Sequence, residues 1–331
     1  MGKVRVAING FGRIGRTTAR AILQNDALEL VAVNDLTDVG TLAHLFKYDS
    51  IHGKFNGSIE VGEKLLQIND KPVYLYASKD PESLPWRDLK IDVVIESTGI
   101  FRTKESAYKH ITAGAKKVIM SAPPQGEGVK GVVYGVNEKT LTGDEEILSN
   151  ASCTTNCVAP LVKVLDEFWG IENAYITTVH SYTSDQRLHD APHSDLRRAR
   201  AAAVSLVPTS TGAAGAIVKL FPHLEGKLEG YAIRVPVPDG SLTDLTCTLK
   251  RSATREEINA AFKNIAESEM KGILEYTDEP IVSIDIVGNT HSSIFDSLLT
   301  VVNGNTVKIV SWYDNEAGYS NRLADLAEKI G

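Results

Sequence analysis

The chain has little cysteine, no long apolar run and no excess of positive charge. Three cysteines among 331 residues are too few, and odd in number, for a disulfide framework, so a reducing cytoplasm is expected. No apolar stretch approaches the roughly 20 residues of a membrane-spanning helix, and no secretory signal precedes the first strand pattern. The formal net charge of −7 gives no general attraction to nucleic acid or to anionic membranes. We therefore expect a cytoplasmic protein with no membrane or nucleic-acid partner, and we predict no metal site.

Length and composition favour a globular protein of two domains. A chain of 331 residues exceeds one ordinary hydrophobic core. Its content of 43% hydrophobic and 23% charged residues is that of folded proteins and excludes extended disorder.

The first 35 residues carry a dinucleotide-binding fingerprint. A β-rich run at residues 4–8 leads directly into a turn containing Gly10, Gly12 and Gly15, and a helix pattern follows. An acidic residue, Asp35, ends the next strand pattern 20 positions after the last glycine. The glycines permit a tight turn and a close approach of the pyrophosphate to the helix N-terminus. The Asp35 carboxylate suits ribose hydroxyls and repels a 2′-phosphate, so NAD is predicted in preference to NADP.

Strands and helices continue to alternate through the first half. Apolar strands are predicted at residues 28–33, 73–76, 91–96, 118–121 and 132–136, with a helix at 103–113. This pattern predicts an α/β Rossmann domain with a mostly parallel sheet that is covered on both faces. Ligands of such sheets bind beyond the carboxyl ends of the strands. That rule adds Thr98, Gly99 and Ser121 to Asp35 as candidates for lining the cofactor site, although each is also compatible with ordinary loop chemistry.

The second half changes to clustered strands with few helices. Strands are predicted at residues 174–179, 231–237, 244–249, 281–286, 298–302 and 306–312, and helices at 212–220, 254–267 and 316–329. Such clustering predicts an α+β domain with an antiparallel sheet. We predict a Rossmann NAD-binding domain at residues 1–150, with the final helix at 316–331 packing back on it, and a catalytic domain at 151–315.

The seven residues from Ala151 to Cys157 are the strongest catalytic signal. They follow a strand pattern and precede a helix pattern at residues 158–168, which places Cys153 near a helix start. Unpaired N–H groups there favour an anion and lower the pKa of a thiol, and the thiolate is the nucleophile. The alternative is a small buried hydrophobic side chain, which is our interpretation of Cys157. His180 ends a strand and is the predicted acid–base partner of Cys153, unless it is only structural.

Several residues that follow His180 are suited to binding anions. Arg198 and Arg234 offer planar donors for phosphate or carboxylate, and Thr211-Gly212 begins another helix. The arginine-rich stretch at residues 181–203 is alternatively a solvated loop. Together with Ser152, Thr154 and Thr183, these residues predict two phosphate pockets around one cysteine.

The chain resembles phosphorylating glyceraldehyde-3-phosphate dehydrogenases along nearly its whole length. The matching stretches are residues 8–16, 151–157, 178–183, 195–203, 210–214, 234–236 and 312–316. The resemblance implies oxidation of D-glyceraldehyde 3-phosphate to 1,3-bisphosphoglycerate with inorganic phosphate and NAD, by a Cys153 hemithioacetal and thioester, in glycolysis or gluconeogenesis. It also implies a cytoplasmic homotetramer.

The same resemblance assigns roles to individual residues. Cys153 is the implied nucleophile and His180 its base. The implied binding residues are Ser152, Thr183 and Arg234 for the substrate's own phosphate; Thr154, Arg198, Thr211 and Gly212 for inorganic phosphate; Arg13, Ile14, Asp35, Lys79 and Ser121 for the adenosine and diphosphate of NAD; and Thr98, Gly99 and Asn315 near the nicotinamide.

Alternatives remain at the level of cofactor and substrate. Pro192 and Asp35 favour NAD, whereas Ala191 is a residue found in NADP-using relatives. Erythrose-4-phosphate dehydrogenase shares the cysteine motif and is the alternative function. Aspartate-semialdehyde dehydrogenase also pairs a Rossmann domain with Cys and His, but it would not supply the run at residues 178–183. A non-enzymatic role, such as adhesion or RNA binding, is a third class, against which the net charge weighs.

Overall fold

The computed structural model describes residues 2–331, which fold into two compact units. Unit 1 contains the chain up to Tyr134, Glu138–Ala151 and Ser320–Gly331, and unit 2 contains Gly135–Asn137 and Ser152–Tyr319. Within residues 2–331, no helix combines the length and apolar character needed to cross a bilayer.

Unit 1 is a doubly wound α/β structure. Its strands are β1 Val4–Asn9, β2 Leu28–Asn34, β3 Tyr48–Asp49, β4 Gly53–Lys54, β5 Ile59–Val61, β6 Leu65–Ile68, β7 Lys71–Tyr76, β8 Val93–Glu96, β9 Lys117–Met120, β10 Lys130–Gly131 and β11 Ile147–Ser149. Its helices are α1 Arg13–Gln24, α2 Val39–Lys47 and α3 Lys104–Thr112. The main sheet has the order β10-β11-β9-β8-β1-β2-β7-β6-β5, and only the two pairs at the β5 edge are antiparallel.

The centre of this sheet is a topological switch point. The chain leaves β1 for β2 on one side, and β8 returns to pair with β1 on the other side, both in parallel. The crossover connections therefore diverge at the carboxyl end of β1, which is where open α/β sheets bind their ligands. Val6, Ala7 and Ile8 are fully buried, as expected for a central strand covered on both faces.

Two glycines make the turn after β1 possible. Gly10 has φ +91°, and a Cβ there would lie 2.7 Å from the Thr98 backbone nitrogen. Gly15 lies within α1, and a Cβ on it would stand 2.1 Å from the Gly10 carbonyl oxygen. The absence of side chains thus lets the first turn of α1 pack directly against the loop that follows β1.

Unit 2 is a mixed, mostly antiparallel sheet with packed helices. Its elements are α4 Cys153–Trp169, β12 Ile171–Ser181, β13 Val207–Ser210, α5 Ala213–Leu220, β14 Leu228–Val235, β15 Ser241–Leu249, α6 Arg255–Glu267, β16 Leu274–Thr277, β17 Ser293–Asn303, β18 Thr306–Tyr313 and the start of α7 Ala317–Ile330. The sheet order is β13-β14-β12-β15-β18-β17-β16, with parallel pairs at β12–β14 and β16–β17. Alternate residues of β15 are buried, because one face of the sheet packs on the core. The mostly parallel and mostly antiparallel sheets confirm the predicted fold classes.

Two predicted strands are wrong. Residues 132–136 are not a strand: Val132 and Val133 are buried core residues, and residues 134–137 form a turn with Gly135 at φ +86°. Residues 281–286 lie largely in turns, where the Asp285 carboxylate accepts the Val282 N–H at 2.7 Å. In both cases the apolar pattern was not distinguishable from that of a strand. Both segments form turns instead, the first with Gly135 at positive φ and the second with the hydrogen bond from Val282 to the Asp285 side chain.

The close approach at Gly15 predicts a stability difference between two glycine variants. Gly15→Ala forces a Cβ into the Gly10 carbonyl, so we expect a loss of about 1–3 kcal/mol in unfolding free energy. A Cβ at Gly12 meets no atom within 4 Å, so Gly12→Ala should change stability by less than about 0.5 kcal/mol. Chemical denaturation of both variants measures the difference, and equal stabilities would contradict the packing described for α1.

Candidate active site

Cys153 is the first residue of α4, and the preceding residue caps the helix. The Ser152 hydroxyl oxygen accepts the Thr155 N–H at 3.1 Å. The Ser152 carbonyl accepts the Asn156 side-chain N–H at 2.9 Å. The cap satisfies one exposed N–H of the first turn, while the helix start leaves the N–H of Cys153 without an intrahelical acceptor. The half-buried thiol is therefore held at the positive end of a helix, as the sequence predicted.

His180 lies next to the end of β12 and faces this thiol. The distance from Cys153 Sγ to His180 Nε2 is 3.5 Å. On the other side of the ring, Nδ1 lies 2.7 Å from the Ser181 carbonyl oxygen. A carbonyl only accepts, and this contact is shorter than the 3.0 Å between Nδ1 and the donor Arg234 Nη1, so it favours a proton on Nδ1 and leaves Nε2 to accept one from the thiol.

The electrostatics of the pair differ from the sequence-based expectation. The pKa of the Cys153 thiol is raised rather than lowered, because burial outweighs the opposing charge of Arg234 and the Thr154 N–H. Burial and the charge of Arg234 lower the pKa of His180 to about 3. The resting pair is thus a neutral thiol beside a neutral imidazole, and proton transfer to Nε2 accompanies nucleophilic attack.

Arg234 lies on the opposite side of the imidazole from Cys153. Its Nη1 donates to the Ser181 carbonyl at 3.0 Å and to the Thr183 hydroxyl at 3.4 Å, and it lies 3.0 Å from His180 Nδ1. Pairing of β12 with β14 in register places His180 opposite Arg234. The structure therefore brings together Cys153, His180, Thr183 and Arg234.

Arg198 is anchored beside this group. Its Nε donates to the Thr209 hydroxyl at 2.9 Å, and its Nη1 pairs with Asp185. Its charge acts on both His180 and Arg234. Thr211 and Gly212 follow β13 at the start of α5, where the Thr211 hydroxyl oxygen accepts the Ala213 N–H at 3.2 Å. Backbone N–H groups and a hydroxyl at a helix start beside an arginine are suited to binding a phosphate.

The remaining residues of unit 2 have buried polar partners. The Thr154 hydroxyl lies 3.0 Å from the Tyr313 hydroxyl. Asn315 Oδ1 accepts hydrogen bonds from the Ser181 and Ser241 hydroxyls, both at 2.7 Å. Sequence reasoning gave no role to Tyr313, Ser181 or Ser241, since nothing in their spacing relates them to Cys153. Cys157 is fully buried, as predicted.

Asp35 lies where the turn after β1 meets the end of β2. Its Oδ2 accepts the Phe11 N–H at 2.7 Å, and its Oδ1 accepts the Thr37 N–H at 2.9 Å. Burial raises the pKa of Asp35, but these bonds and the nearby Arg16 outweigh it, so the net pKa is lowered. The carboxylate is therefore charged at neutral pH. The segment that follows Asp35 lines a cavity of about 460 Å³, together with residues that include Leu75 and Tyr76.

The other candidates of unit 1 surround the carboxyl edge of the sheet. Arg13 binds Asp49 through both Nη atoms, at 3.1 and 3.2 Å. Thr98 is half-buried and Gly99 is exposed after β8. Ser121 follows β9, and its N–H donates to the Glu96 carbonyl at 2.9 Å. Ile14 is half-buried on α1, and Lys79 is exposed in the loop after β7.

Comparisons with known proteins match both units. Residues 4–104 match the family model "Glyceraldehyde 3-phosphate dehydrogenase, NAD binding domain", and residues 152–315 match "Glyceraldehyde 3-phosphate dehydrogenase, C-terminal domain". The chain is 57% identical over 335 residues to the glyceraldehyde-3-phosphate dehydrogenase of Mycobacterium avium, covering 99% of this chain and 98% of that protein. It is 55% identical over 329 residues to the enzyme of Geobacillus stearothermophilus, again covering 99% and 98%.

The chain belongs to the glyceraldehyde-3-phosphate dehydrogenase family. This membership confirms the predictions of an NAD-dependent oxidoreductase and of NAD as its cofactor. The residues of unit 1 fit that cofactor. The turn at Gly10 and Gly12 has no obstructing side chains, α1 begins without a side-chain cap, and the segment that follows the charged Asp35 lines a cavity.

The charge of Arg234 predicts the pH dependence of thiol alkylation. Because Arg234 lowers the pKa of Cys153, Arg234→Leu should raise that pKa further and slow alkylation by iodoacetamide at pH 7 by about tenfold. Rates measured from pH 5 to pH 10 should shift to higher pH. Arg197→Leu removes an exposed arginine of the neighbouring loop and should leave the profile in place. An unshifted profile for Arg234→Leu would show that its charge does not reach the thiol.

The fixed charge of Asp35 predicts cofactor preference. Repulsion of a 2′-phosphate should give a kcat/KM at least about tenfold higher with NAD than with NADP. Asp35→Asn should narrow this ratio mainly by raising kcat/KM with NADP, since it removes the charge and keeps the size of the side chain. Asp38→Asn, which removes a neighbouring charge lining the same cavity, is the matched control and should keep the ratio. Equal kcat/KM for the two cofactors in the unmodified protein would overturn this argument.

Proposed function

We propose that the protein oxidises D-glyceraldehyde 3-phosphate to 1,3-bisphosphoglycerate, with reduction of NAD and consumption of inorganic phosphate, in glycolysis or gluconeogenesis. The observation that carries this proposal is the 3.5 Å contact between Cys153 Sγ and His180 Nε2 at the start of α4. The names of the relatives support the substrate. The first unit would serve as the NAD-binding domain, at residues 1–150 with 316–331, and residues 151–315 as the catalytic domain.

The first half of the reaction makes a thioester. Cys153 Sγ attacks the aldehyde carbon, its proton passes to His180 Nε2, and that proton then moves to the new alkoxide to give a hemithioacetal. The Cys153 N–H at the helix start stabilises the developing oxyanion. NAD, when bound, supplies the acceptor for the hydride of the C–H bond. As the hydride leaves, Nε2 accepts the hydroxyl proton, and the carbon becomes a thioester.

The second half transfers the acyl group to phosphate. An oxygen of inorganic phosphate attacks the thioester carbon, the C–S bond breaks, and sulfur leaves as a thiolate that recovers its proton from His180. The phosphate's own proton is released to water. The neutral imidazole, with its pKa lowered to about 3, is therefore a base that returns its proton readily at each step.

Two anion sites are proposed around this chemistry. Arg234 with Thr183 and Ser152 would hold the phosphate of the substrate, because Arg234 is the cation nearest to the Cys153–His180 pair. Arg198 with Thr154, Thr211 and Gly212 would hold inorganic phosphate, since the start of α5 lies beside the Ser210 carbonyl to which Arg198 donates. In unit 1, Gly10, Gly12, Arg13, Ile14, Gly15, Asp35, Lys79 and Ser121 would bind the adenosine and diphosphate of NAD, and Thr98 and Gly99 would lie near the nicotinamide.

The loop between β12 and β13 supports assembly into a homotetramer. Leu188, Leu196 and Val204 expose 70%, 81% and 79% of their area, which is unusual for large apolar side chains and typical of a surface that another subunit covers. All three cysteines are unpaired thiols, which fits the proposed cytoplasmic location.

The direct test is NADH formation from D-glyceraldehyde 3-phosphate with and without inorganic phosphate. We expect continuous turnover with phosphate, and a burst of about one NADH per active subunit without it, because the thioester then accumulates. Cys153→Ser should lower kcat by at least about three orders of magnitude. Cys157→Ser, four residues along the same helix, should stay within about threefold of the unmodified protein.

Three outcomes would contradict the proposal. More than a tenth of the activity in Cys153→Ser would exclude this thiol as the nucleophile. Equal steady rates with and without phosphate would indicate hydrolysis instead of phosphorolysis. A higher kcat/KM with D-erythrose 4-phosphate would favour the alternative dehydrogenase.

A further inference from the structure

Unit 1 contains a buried ionisable pair that the proposed reaction does not use. Glu96, the last residue of β8, is 3% exposed, and His110 on α3 is 0% exposed. Glu96 Oε2 lies 3.1 Å from His110 Nε2. A carboxylate without hydrogen-bond donors is very unfavourable at such a depth. The contacts of both side chains therefore show which groups stabilise the carboxylate of Glu96.

The partner of His110 on its other side fixes the position of the ring proton. Trp86 Nε1 lies 3.0 Å from His110 Nδ1, and an indole N–H can only donate. His110 Nδ1 is therefore the acceptor, the proton is on Nε2, and Nε2 donates to Glu96. The ring is held as a neutral donor that faces the carboxylate.

Every side chain and backbone group facing the Glu96 carboxylate is a donor. Asn9 Nδ2 donates to Oε2 at 2.5 Å, beside His110 Nε2. On Oε1, the Thr98 N–H donates at 2.8 Å, and the Thr98 hydroxyl donates as well. Four donors thus converge on one carboxylate, and two of them belong to the loop that follows β8.

The network extends to the ends of the neighbouring strands. Asn9 Oδ1, at the end of β1, accepts from Asn34 Nδ2, at the end of β2, at 2.7 Å. Asn34 Oδ1 in turn accepts the Ser78 N–H at 2.8 Å, in the loop after β7. The carboxyl ends of β8, β1 and β2 are therefore joined side chain to side chain at the switch point of the sheet. Gly10 and Asp35 each follow directly after one of these asparagines.

We propose that Glu96 is a positioning residue for NAD, and that His110 and Trp86 hold it in place. Its carboxylate sets the backbone and hydroxyl of Thr98, and through Asn9 it sets the turn at Gly10. The inference rests on the proposed placement of the nicotinamide end of NAD at Thr98 and Gly99. The adenosine end, beside Asp35 and the adjoining cavity, is two side chains further along the network and depends on Glu96 less.

The test is a binding titration of Glu96→Gln with NAD and with AMP, by calorimetry. An amide supplies one oxygen and one NH2 group, so an NH2 must face either Thr98 or the pair of Asn9 and His110, all of which are donors. We expect the Kd for NAD to rise at least about tenfold and the Kd for AMP to change less than about threefold. A merely destabilised domain would weaken both ligands alike.

Val94→Ala is the matched control, because Val94 is a fully buried apolar residue on the same strand. It should lower the melting temperature and leave both Kd values within about twofold. Trp86→Phe is the milder second variant: it removes the N–H that orients His110 together with part of the buried ring system, and the Kd for NAD should rise about two- to fivefold.

An unchanged NAD affinity in Glu96→Gln, or in Trp86→Phe if the first variant does not fold, would overturn the inference. Equal weakening of NAD and AMP, or an NAD loss in Val94→Ala equal to that in Glu96→Gln, would overturn it too. If the unmodified protein bound no NAD, the cofactor assignment itself would fail and this inference with it. Normal binding by the unmodified protein and by Glu96→Gln would remove the inference alone.

Discussion

The contact between the Cys153 thiol and the imidazole of His180 is the interaction on which the proposed chemistry depends. It requires a helix that begins at the cysteine and a strand that ends beside the histidine. The Ser152 cap holds the start of the helix in place. The Ser181 carbonyl orients the His180 ring by accepting the Nδ1 proton. Because Arg234 donates to the same carbonyl, the proposed base and the proposed substrate-binding cation share one anchor. A shift of that carbonyl would disturb both together.

In unit 1, the backbone has to come close to a charged cofactor, and no side chain can stand in between. Gly10 and Gly15 let the loop and the helix start meet at a distance that no Cβ would allow. The polar side chains Asn9, Asn34 and Glu96 then hold the strand ends below that turn. Rigidity thus comes from buried hydrogen bonds in the sheet, while the turn itself stays open. This division suits a site in which backbone N–H groups have to reach a diphosphate.

Sequence reasoning succeeded where one local pattern determines structure. The glycine fingerprint, the continuous apolar strands and the helix start at Cys153 each follow from short-range rules. It failed at residues 132–136 and 281–286, where apolar residues lie in buried or turn segments that the pattern does not distinguish from strands. The direction of the Cys153 pKa was also wrong, since burial is a property of the fold and outweighs the local effect of the helix start. Glu96, His110 and Ser241 carry no sequence signal, because most of their partners belong to other strands, helices or loops that only the fold brings together.

The central claim is that a covalent acyl intermediate forms on Cys153. Mass spectrometry of peptides from protein mixed with D-glyceraldehyde 3-phosphate and NAD, in the absence of phosphate and quenched in acid, tests it most directly. The account predicts a phosphoglyceroyl adduct on the peptide that contains Cys153, localised by fragmentation to that residue and removed by adding phosphate before the quench. An adduct on Cys157 or Cys247, or NADH release with no adduct on Cys153, would contradict it.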